Sequence, residues 1–288
     1  MKGILLAGGR GSRLYPTTDV ISKHLLPVFD KPMIYYSLSL LIMAGVRDVL
    51  IITTPQDLYL YRNLLGDGKD LGMSLSYCIQ QDANGIAEAF ILGKEFIGND
   101  NVMLVLGDNI LIDNSLPEIL IQSKKHVENN NQAYIFAYKV SNPKLFGVLT
   151  LNNNGEIIAI EEKPNNPTSN YAIVGVYFYP NSVVDIAQSI QPSNRGEKEI
   201  SSINEYYCNK KLLNYKVLEN ATWFDAGSCD GLLNATNYIA NFQKSNNKYI
   251  ACIEELAYKN SWVDKHKLQN LSYKSDNEYY RYLRKILD

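Results

Sequence analysis

The stretch LLAGGRGSRLYP, from Leu5 to Pro16, places three glycines and two arginines directly behind a short apolar run. A dinucleotide-binding fingerprint would need a small residue at position 14, which is Leu14, and a kinase or ATPase loop would need Gly-Lys-Ser/Thr, which is absent. What remains is a flexible backbone that can point N–H groups at phosphate oxygens, with Arg13 and Lys23 as nearby cations. Taken alone, such a loop is more often an ordinary turn, so its role stays open at this point.

The first half of the chain alternates between strand-like and helical segments. Short apolar runs indicate strands that are buried on both faces: GILLA (3–7), DVLIIT (48–53), LSYCIQ (75–80) and VMLVLG (102–107). Helical patterns lie between or after them, at residues 32–44, 85–98 and 116–127. This order predicts an α/β fold with a Rossmann-like, mostly parallel sheet flanked by helices, and ligands at the carboxyl ends of the strands.

After residue 130 the pattern changes. Strand-like runs separated by turn-forming residues occupy 133–140, 146–151, 156–162 and 171–179, followed by helical segments near 182–190, 198–209 and 229–243. We therefore expect a smaller mixed region that sits on the sheet. The charged, Tyr-rich end of the chain predicts an appended helical element.

Composition excludes several classes of protein. The 288 residues carry a formal net charge of -2, which gives no basic surface for nucleic acid or an anionic membrane. The four cysteines have no spacing typical of zinc sites or of a disulfide framework. We find neither a signal-peptide pattern nor an uncharged apolar run near the roughly 18 residues of a transmembrane span, so we expect a cytoplasmic protein.

The glycine loop resembles, nearly residue for residue, the signature LAGGxGTRLxP of the sugar nucleotidyltransferases. The resemblance covers essentially the whole chain. Further motifs occur in the order and spacing of the bacterial glucose-1-phosphate thymidylyltransferases: SKHLLPVFDKPMIYY (22–36), LLGDG (64–68), VLGDN (105–109), EEKP (161–164), RGEKEIS (195–201) and WFDAG (223–227). The resemblance implies a catalytic domain over 1–243, with a nucleotide-binding half (about 1–130) and a sugar-binding half (about 131–243). It also implies a C-terminal helical element over 244–288.

The resemblance implies transfer of a deoxythymidylyl group from dTTP to glucose 1-phosphate, which gives dTDP-glucose and pyrophosphate. The attacking phosphate oxygen is already anionic at neutral pH, so neither a general base nor a Ser or Cys nucleophile is required. Direct displacement then depends on positioning two polyanions and neutralising charge. The resemblance further implies a homotetramer and a supply of dTDP-rhamnose for surface polysaccharides.

By resemblance, Asp108 and Asp225 bind the Mg²⁺ cofactor, a hard ion that prefers carboxylate and phosphate oxygens. Taken alone, an Asp after a strand is more often a turn or helix-cap residue. With these two carboxylates, the residues expected to act in catalysis are Arg13, Lys23 and Lys163. The expected nucleotide-binding residues are Leu6, Gly8, Gly9, Gly11, Ser12, Arg13, Lys23, Gln80, Gly85 and Asp108, of which Gln80 and Gly85 match positions that read the pyrimidine.

The resemblance places the sugar phosphate among Asn109, Gly147, Glu162, Lys163, Val174, Tyr177 and Arg195. Glu162 matches a position that binds sugar hydroxyls and Lys163 one that binds the phosphate, whereas Val174 and Gly175 match a turn where the backbone approaches the sugar. Without the resemblance, Glu162 and Lys163 can be interpreted as solvated residues at the end of a strand, and Arg195 as a charged residue on the surface.

Several residues depart from the family pattern. His24 stands where Gln is usual, Glu88 replaces a usual Gln, Phe146 replaces a usual Tyr, and Ser201-Ser202 replaces Thr-Asp. Residues 109–114 and 218–223 lack the aromatic and basic character typical of a separate regulatory nucleotide site, which puts feedback inhibition in doubt. Two alternatives stay open: a transferase that uses UTP or another hexose 1-phosphate, and a catalytically silent regulator that binds nucleotide sugars.

Overall fold

The chain folds around one large sheet and two short strand pairs. The computed structural model describes residues 1–9 and 11–287; Arg10, in the glycine loop, and Asp288 lie outside the described residues. The strands are β1 (Lys2–Leu6), β2 (Pro27–Val28), β3 (Lys31–Pro32), β4 (Asp48–Thr53), β5 (Ser74–Ile79), β6 (Val102–Leu106), β7 (Asn109–Ile112), β8 (Ala133–Lys139), β9 (Gly147–Leu151), β10 (Ile157–Glu162), β11 (Tyr171–Tyr179), β12 (Leu213–Val217) and β13 (Thr222–Asp225).

Helices connect these strands. They are α1 (Met33–Met43), α2 (Leu58–Leu65), α3 (Glu88–Leu92), α4 (Lys94–Ile97), α5 (Leu116–Asn130), α6 (Val183–Ser189), α7 (Ile200–Asn209), α8 (Cys229–Asn246), α9 (Ile253–Lys259), α10 (Lys265–Ser272) and α11 (Glu278–Lys285). In the chain as described, without positions 10 and 288, no helix is long and apolar enough to cross a membrane.

The four apolar runs of the first half form the parallel part of the sheet, in the order β5, β4, β1, β6. All four carboxyl ends therefore point to the same edge. The predicted α/β class with a mostly parallel central sheet flanked by helices is confirmed.

The second half of the chain extends the same sheet. Strand β11 lies antiparallel to β6 and also pairs with β8 and β9, and β10 and β12 complete the nine strands. The smaller mixed region is therefore a continuation of the same sheet. The sequence had led us to expect a separate region that sits on the sheet. The long apolar β11 makes this continuation possible because it is buried along almost its whole length and can pair on both edges.

Apolar side chains form a core on each face of the sheet. On one face, α1, α5 and α9 pack against the strands through residues such as Leu38, Leu120 and Ala257. On the other face, α3, α6 and α7 contribute residues such as Phe90 and Ile203. Helices on both faces explain why most side chains of the central strands β1, β4 and β6 are apolar.

Two details differ from the sequence prediction. The helix predicted over 85–98 is interrupted at Gly93, where a side chain would crowd Ile4 and Leu50 of the sheet, so α3 and α4 are separate. The strands β7, β12 and β13 and the helix α2 were not predicted, because each is short and has a weak apolar pattern.

The C-terminal helices are held to the rest of the chain by a buried lysine. Lys31 is 4% exposed, and its Nζ lies 2.5 Å from Asp30 Oδ1 and 4.9, 5.7 and 5.8 Å from the ring centres of Tyr36, Tyr249 and Tyr279. Burial lowers the pKa of the Lys31 amine, and the Asp30 carboxylate opposes that shift. The lysine thus joins the β2–β3 hairpin to tyrosines from α11 and from the segment before α9.

Replacing Lys31 with alanine should destabilise the fold, because Asp30 would stay partly buried without its cation. We expect the free energy of unfolding to fall by about 3 kcal/mol, the usual cost of breaking a buried pair. Chemical denaturation measures this free energy of unfolding. Lys274→Ala, which removes an exposed partner of Asp70, is the matched control and should cost less than about 1 kcal/mol. Equal losses in the two variants would contradict this account.

Candidate active site

A cavity of about 280 Å³ opens at the carboxyl ends of β1 and β6. It lies at the edge of the sheet where the sequence predicts ligands. Most predicted site residues line it: Leu6, Gly8, Arg13, Lys23, Asp108, Asn109, Gly147, Glu162, Lys163, Tyr177 and Asp225. The structure therefore brings residues from both halves of the chain together around one space.

Six predicted residues lie beside the cavity without forming its wall: Gly9, Gly11, Ser12, Gln80, Gly85 and Arg195. Val174 lies elsewhere. The turn expected at Val174 and Gly175 is part of β11, and the Val174 side chain is fully buried in the core on the opposite face. Because alternate residues of a strand point to opposite faces, Ile173, Gly175 and Tyr177 are the ones that line the cavity.

The glycine loop leaves β1 in a conformation that only glycine adopts easily. Gly9 and Gly11 have φ values of 100° and 61°, and a short 3-10 helix, Ser12–Leu14, follows. The Thr18 hydroxyl donates to the Gly11 carbonyl at 2.8 Å and holds the turn closed. Arg13 then reaches into the cavity, where its Nη1 donates to Asp225 Oδ2 at 3.1 Å.

Asp108 lies two residues after the end of β6 and is 8% exposed. Lys23 Nζ donates to its Oδ2 at 2.5 Å, and Asn109 Nδ2 donates to its Oδ1 at 3.1 Å. Burial alone would raise the pKa of Asp108, but the Lys23 charge and these two hydrogen bonds outweigh burial and hold the pKa well below its usual value. The carboxylate is therefore ionised at neutral pH.

The antiparallel pair β7–β13 brings Asp225 to this carboxylate. Its register places Asp225 opposite Asn109, and the Ala226 N–H donates to the Asp108 carbonyl at 3.0 Å. A side chain at Gly227 would meet Asp108 Oδ2 and Asp225 Oδ1 at 3.0 Å each, so the two oxygens cannot be further apart than twice that distance. The two carboxylates therefore face the same part of the cavity.

These carboxylates do not form a metal-binding cluster by themselves. Across residues 1–9 and 11–287, no group of three or more His, Cys, Asp and Glu side chains could hold a metal ion. A pair of carboxylates suits Mg²⁺, which keeps waters and takes phosphate oxygens from its substrate to complete an octahedral shell. Lys23 and Arg13 balance the two charges in the structure.

Asn109 fixes the wall between the two halves of the site. Its Oδ1 accepts from the Gly175 N–H and from Trp223 Nε1, each at 2.9 Å. A side chain at Gly175 would lie 2.6 Å from the Asn109 amide nitrogen, so the close approach requires glycine there. This contact ties β11 and β13 to the end of β6.

The opposite end of the cavity is formed by the end of β10. Glu162 accepts a hydrogen bond from Ser201 Oγ of α7, and Lys163 follows with a φ of 44° that turns the chain toward the opening. A side chain at Gly147 would lie 3.4 Å from Glu162 Oε2, so this glycine leaves the carboxylate accessible. Arg195 Nη1 lies 3.9 Å from Glu162 Oε1. The Glu162 carboxylate, a hydrogen-bond acceptor, is thus flanked by the cations of Lys163 and Arg195.

Tyr177 lies beneath Glu162 and is 3% exposed. Burial raises the pKa of its hydroxyl, and the charges of Glu162 and Asp108 raise it further. The phenol therefore stays protonated. It offers a neutral hydrogen-bond donor in a part of the cavity that is otherwise charged.

Other wall residues were not expected from the sequence. Ile200, Ser201 and Asn204 come from one face of α7. Ile200 and Ser201 end the RGEKEIS motif, where Ser201 was noted only as a departure, and helical spacing was the only signal for Asn204. Trp223 belongs to a motif that the sequence had already marked, although only Asp225 was singled out there. His24 was noted as a departure and proves to lie under the Asp108 end of the cavity.

His24 is 1% exposed, and its Nδ1 lies 3.2 Å from Ser22 Oγ and 3.4 Å from the Tyr61 hydroxyl. That hydroxyl in turn donates to the Ala7 carbonyl at 3.3 Å, just before the glycine loop. Burial lowers the pKa of the imidazole from 6.5 to about 3, and the Lys23 charge acts in the same direction. The His24 imidazole is therefore neutral. Its contacts with Ser22 and Tyr61 support the segment that carries Lys23 and the start of the glycine loop.

Residues 2–241 match the family model described as Nucleotidyl transferase. The chain belongs to this family. A curated relative from Neisseria meningitidis serogroup A, named glucose-1-phosphate thymidylyltransferase, is 47% identical over 100% of this chain and 99% of its own length. A relative of the same name from Mycolicibacterium smegmatis is 44% identical over 100% of this chain and 99% of its own.

A solved structure is similar as well. A Bacillus anthracis protein described as a glucose-1-phosphate thymidylyltransferase, crystallised with sucrose, superposes with a TM-score of 0.76. It is 40% identical and the match covers 83% of this chain and 94% of that one. The sequence resemblance and the fold therefore agree on the family.

Replacing His24 with glutamine should reduce the acid sensitivity of the fold. Between pH 6.5 and about pH 3 the unfolded chain binds a proton at His24 that the native state does not, so stability is lost as the pH falls through this window. Below about pH 6 the wild type should lose about 1.4 kcal/mol per pH unit more than His24→Gln.

Urea unfolding at pH 7, 6 and 5 measures this difference. His266→Gln controls for removal of an imidazole, because His266 is exposed. Parallel pH dependence in wild type and His24→Gln would show that His24 is not held neutral.

Proposed function

We propose that this protein transfers the deoxythymidylyl group of dTTP to glucose 1-phosphate, giving dTDP-glucose and pyrophosphate. The observation that carries the proposal is the arrangement of Lys23 on Asp108 and Arg13 on Asp225 around one cavity. A binding module has no need for two paired carboxylates and two cations in one space. The names of the full-length relatives supply the substrates.

The triphosphate would lie along the glycine loop. Gly8 lines the cavity, and the turn at Gly9 and Gly11, with positive φ at both glycines, would direct backbone N–H groups toward phosphate oxygens. Arg13 and Lys23 are placed to neutralise the charge that develops on the departing pyrophosphate. Leu6 and Ser12 flank this stretch.

Asp108 and Asp225 would hold Mg²⁺, because both carboxylates border the Gly227 position beside the cavity and this hard cation prefers carboxylate and phosphate oxygens. When bound, the ion supplies charge neutralisation at the α-phosphate. Substrate binding would then release Lys23 and Arg13 from the carboxylates to phosphate oxygens. The net charge around the reacting phosphate would stay balanced throughout.

The sugar phosphate would occupy the Glu162 end. Glu162 can accept from sugar hydroxyls, and Lys163 and Arg195 lie beside it to bind the phosphate. Gly147 leaves room for the ring, Asn109 fixes the wall, and Tyr177 offers a neutral donor. For Val174 we propose only a backbone role, because its side chain faces away.

The pyrimidine would lie near Gln80 and Gly85, which close the nucleotide end. Gly85 has a φ of 102°, and a side chain there would overlap the Lys198 carbonyl. This contact docks the 84–88 segment onto the chain before α7. The division into a nucleotide half, a sugar half and a C-terminal element follows the same layout, whereas the cytoplasmic location and the homotetramer stay predictions.

Asp108→Asn and Asp225→Asn should each reduce turnover by at least about 100-fold, because each removes a charge that holds the metal. Pyrophosphate release with dTTP, glucose 1-phosphate and Mg²⁺ measures the rate. Asp230→Asn, an exposed carboxylate on α8, is the matched control and should retain the wild-type rate. Near-normal turnover in either site variant would remove that residue from the metal site.

Lys163→Ala should chiefly impair use of the sugar phosphate. Loss of one charge-assisted hydrogen bond predicts a rise in KM for glucose 1-phosphate of about 10- to 100-fold, with KM for dTTP little changed. Lys139→Ala removes an exposed lysine from β8 and serves as the control. An unchanged KM for glucose 1-phosphate would place the phosphate elsewhere.

A further inference from the structure

A buried carboxylate lies behind the arginine at the sugar end of the cavity. Glu199 directly precedes α7, and Arg195 lies four residues before it. Arg195 Nη1 donates to Glu199 Oε1 at 3.4 Å, and Ser193 Oγ donates to the same oxygen at 2.9 Å. The Arg195 backbone N–H in turn donates to Ser193 Oγ at 3.2 Å. Glu199 therefore holds both the guanidinium and the start of the loop that carries it.

The backbone on either side of Glu199 is fixed by the rest of the fold. The Lys198 N–H donates to the Asn84 carbonyl at 2.7 Å, and the Ala87 N–H donates to the Lys198 carbonyl at 3.1 Å. The Lys198 amine also donates to three carbonyls at the end of α6, at distances from 2.7 to 3.4 Å. After Glu199, α7 begins with Ile200, whose side chain is buried. Because both neighbours are held, the Glu199 carboxylate is a fixed anchor.

A second, more exposed carboxylate contacts the same guanidinium. Glu197 Oε1 lies 3.4 Å from Arg195 Nη2, which equals the distance between Glu199 Oε1 and Arg195 Nη1. The Glu197 side chain is 33% exposed, whereas the Glu199 side chain is 8% exposed. The two carboxylates therefore contact Arg195 at the same distance and differ in burial, so they form a matched pair for an experiment.

We propose that Glu199 is a positioning residue that holds Arg195 in place for the sugar phosphate. A guanidinium has five N–H donors in a rigid fork, so the bond from Nη1 to Glu199 leaves other N–H groups for phosphate oxygens. Without this anchor, the long side chain would lose its rotamer freedom only when the phosphate binds, and that cost weakens binding. The inference rests on the proposed role of Arg195 and goes beyond it by assigning the placement of this cation to Glu199.

Glu197 should act in the opposite direction. Its carboxylate contacts Nη2 and so competes with the phosphate for an N–H group of the same fork. Its negative charge also opposes the approach of a phosphate dianion. Because the Glu197 side chain is partly exposed, it can turn into solvent when the phosphate binds. Loss of the Glu197 charge should therefore not weaken binding of the sugar phosphate.

Pyrophosphate release with dTTP, Mg²⁺ and varied glucose 1-phosphate tests this pair. Glu199→Gln keeps the shape of the side chain and removes its charge, so KM for glucose 1-phosphate should rise by about tenfold. Both kcat and KM for dTTP should change by less than about threefold, because the lost interaction concerns binding of the sugar phosphate alone. Glu197→Gln should leave KM for glucose 1-phosphate at or below the wild-type value.

Glu205→Gln, which changes an exposed carboxylate on α7, controls for the loss of a charge on this helix and should keep the wild-type KM. An unchanged KM for glucose 1-phosphate in Glu199→Gln would overturn the inference. An equal rise in Glu199→Gln and Glu197→Gln would overturn it as well, because burial of the anchor would then have no importance.

A double-mutant cycle separates positioning of Arg195 from a structural role at the start of α7. If Glu199 acts through Arg195, Glu199→Gln should have no further effect on KM for glucose 1-phosphate when Arg195 is already replaced by alanine. A structural role would raise KM by the same factor with and without Arg195, and that result would contradict the inference.

A binding measurement separates this inference from the proposed function. Calorimetric titration of glucose 1-phosphate in the presence of dTTP and a chelator gives Kd without turnover. If the wild type binds the sugar phosphate but releases no pyrophosphate with Mg²⁺, the proposed reaction fails, and the ratio of Kd values still decides the role of Glu199. If turnover proceeds and Glu199→Gln has the wild-type KM and Kd, the inference alone fails. If glucose 1-phosphate neither reacts nor binds, both are overturned.

Discussion

The short antiparallel pair β7–β13 sets Asp225 opposite Asn109, and the active site depends on this pairing. It carries a carboxylate from near the end of the catalytic region to the carboxylate that follows β6. The same two strands supply Asn109 and Trp223, whose hydrogen bond fixes the wall of the cavity. Loss of this pair would separate the Asp225 carboxylate from Asp108 and Trp223 from Asn109.

Charge balance is the second constraint. Two polyanions must enter a protein whose formal net charge is -2, so the necessary cations are local. Lys23 and Arg13 are held by Asp108 and Asp225 in the structure, so four charged groups are paired around the cavity. His24 adds no charge beneath them because burial lowers its pKa. These ion pairs hold the charged side chains in fixed positions, which electrostatic catalysis requires.

The strongly apolar elements could be read from the sequence. The strands β4 and β11 have the predicted bounds, and the other long strands and α1 differ by a residue or two, because their side chains are buried on both faces or along a wide helical face. β7 and β13 have only four residues each, and they are stable through pairing with each other, which no local pattern reveals. The register of β7 against β13 could therefore not be predicted from the sequence.

Some of the site residues could likewise be predicted from the sequence, and others could not. Arg13, Asp108 and Lys163 could be named because they follow apolar runs within recognisable motifs. Asn204 could not, because α7 reaches the cavity through tertiary packing, and Ser201 was noted only as a departure from the family pattern. Val174 was assigned to the sugar site by resemblance to a turn where the backbone approaches the sugar, but β11 continues through residues 174 and 175 and sends the Val174 side chain to the opposite core.

The central claim is that this constellation transfers a nucleotidyl group. It is tested most directly by a screen of nucleoside triphosphates against sugar 1-phosphates, with pyrophosphate release as the signal and mass spectrometry of the product. We expect dTTP with glucose 1-phosphate to give the highest rate, formation of dTDP-glucose, and loss of the signal when Mg²⁺ is chelated. Silence across the whole panel in the presence of Mg²⁺ would contradict the claim and favour a nucleotide-sugar-binding regulator.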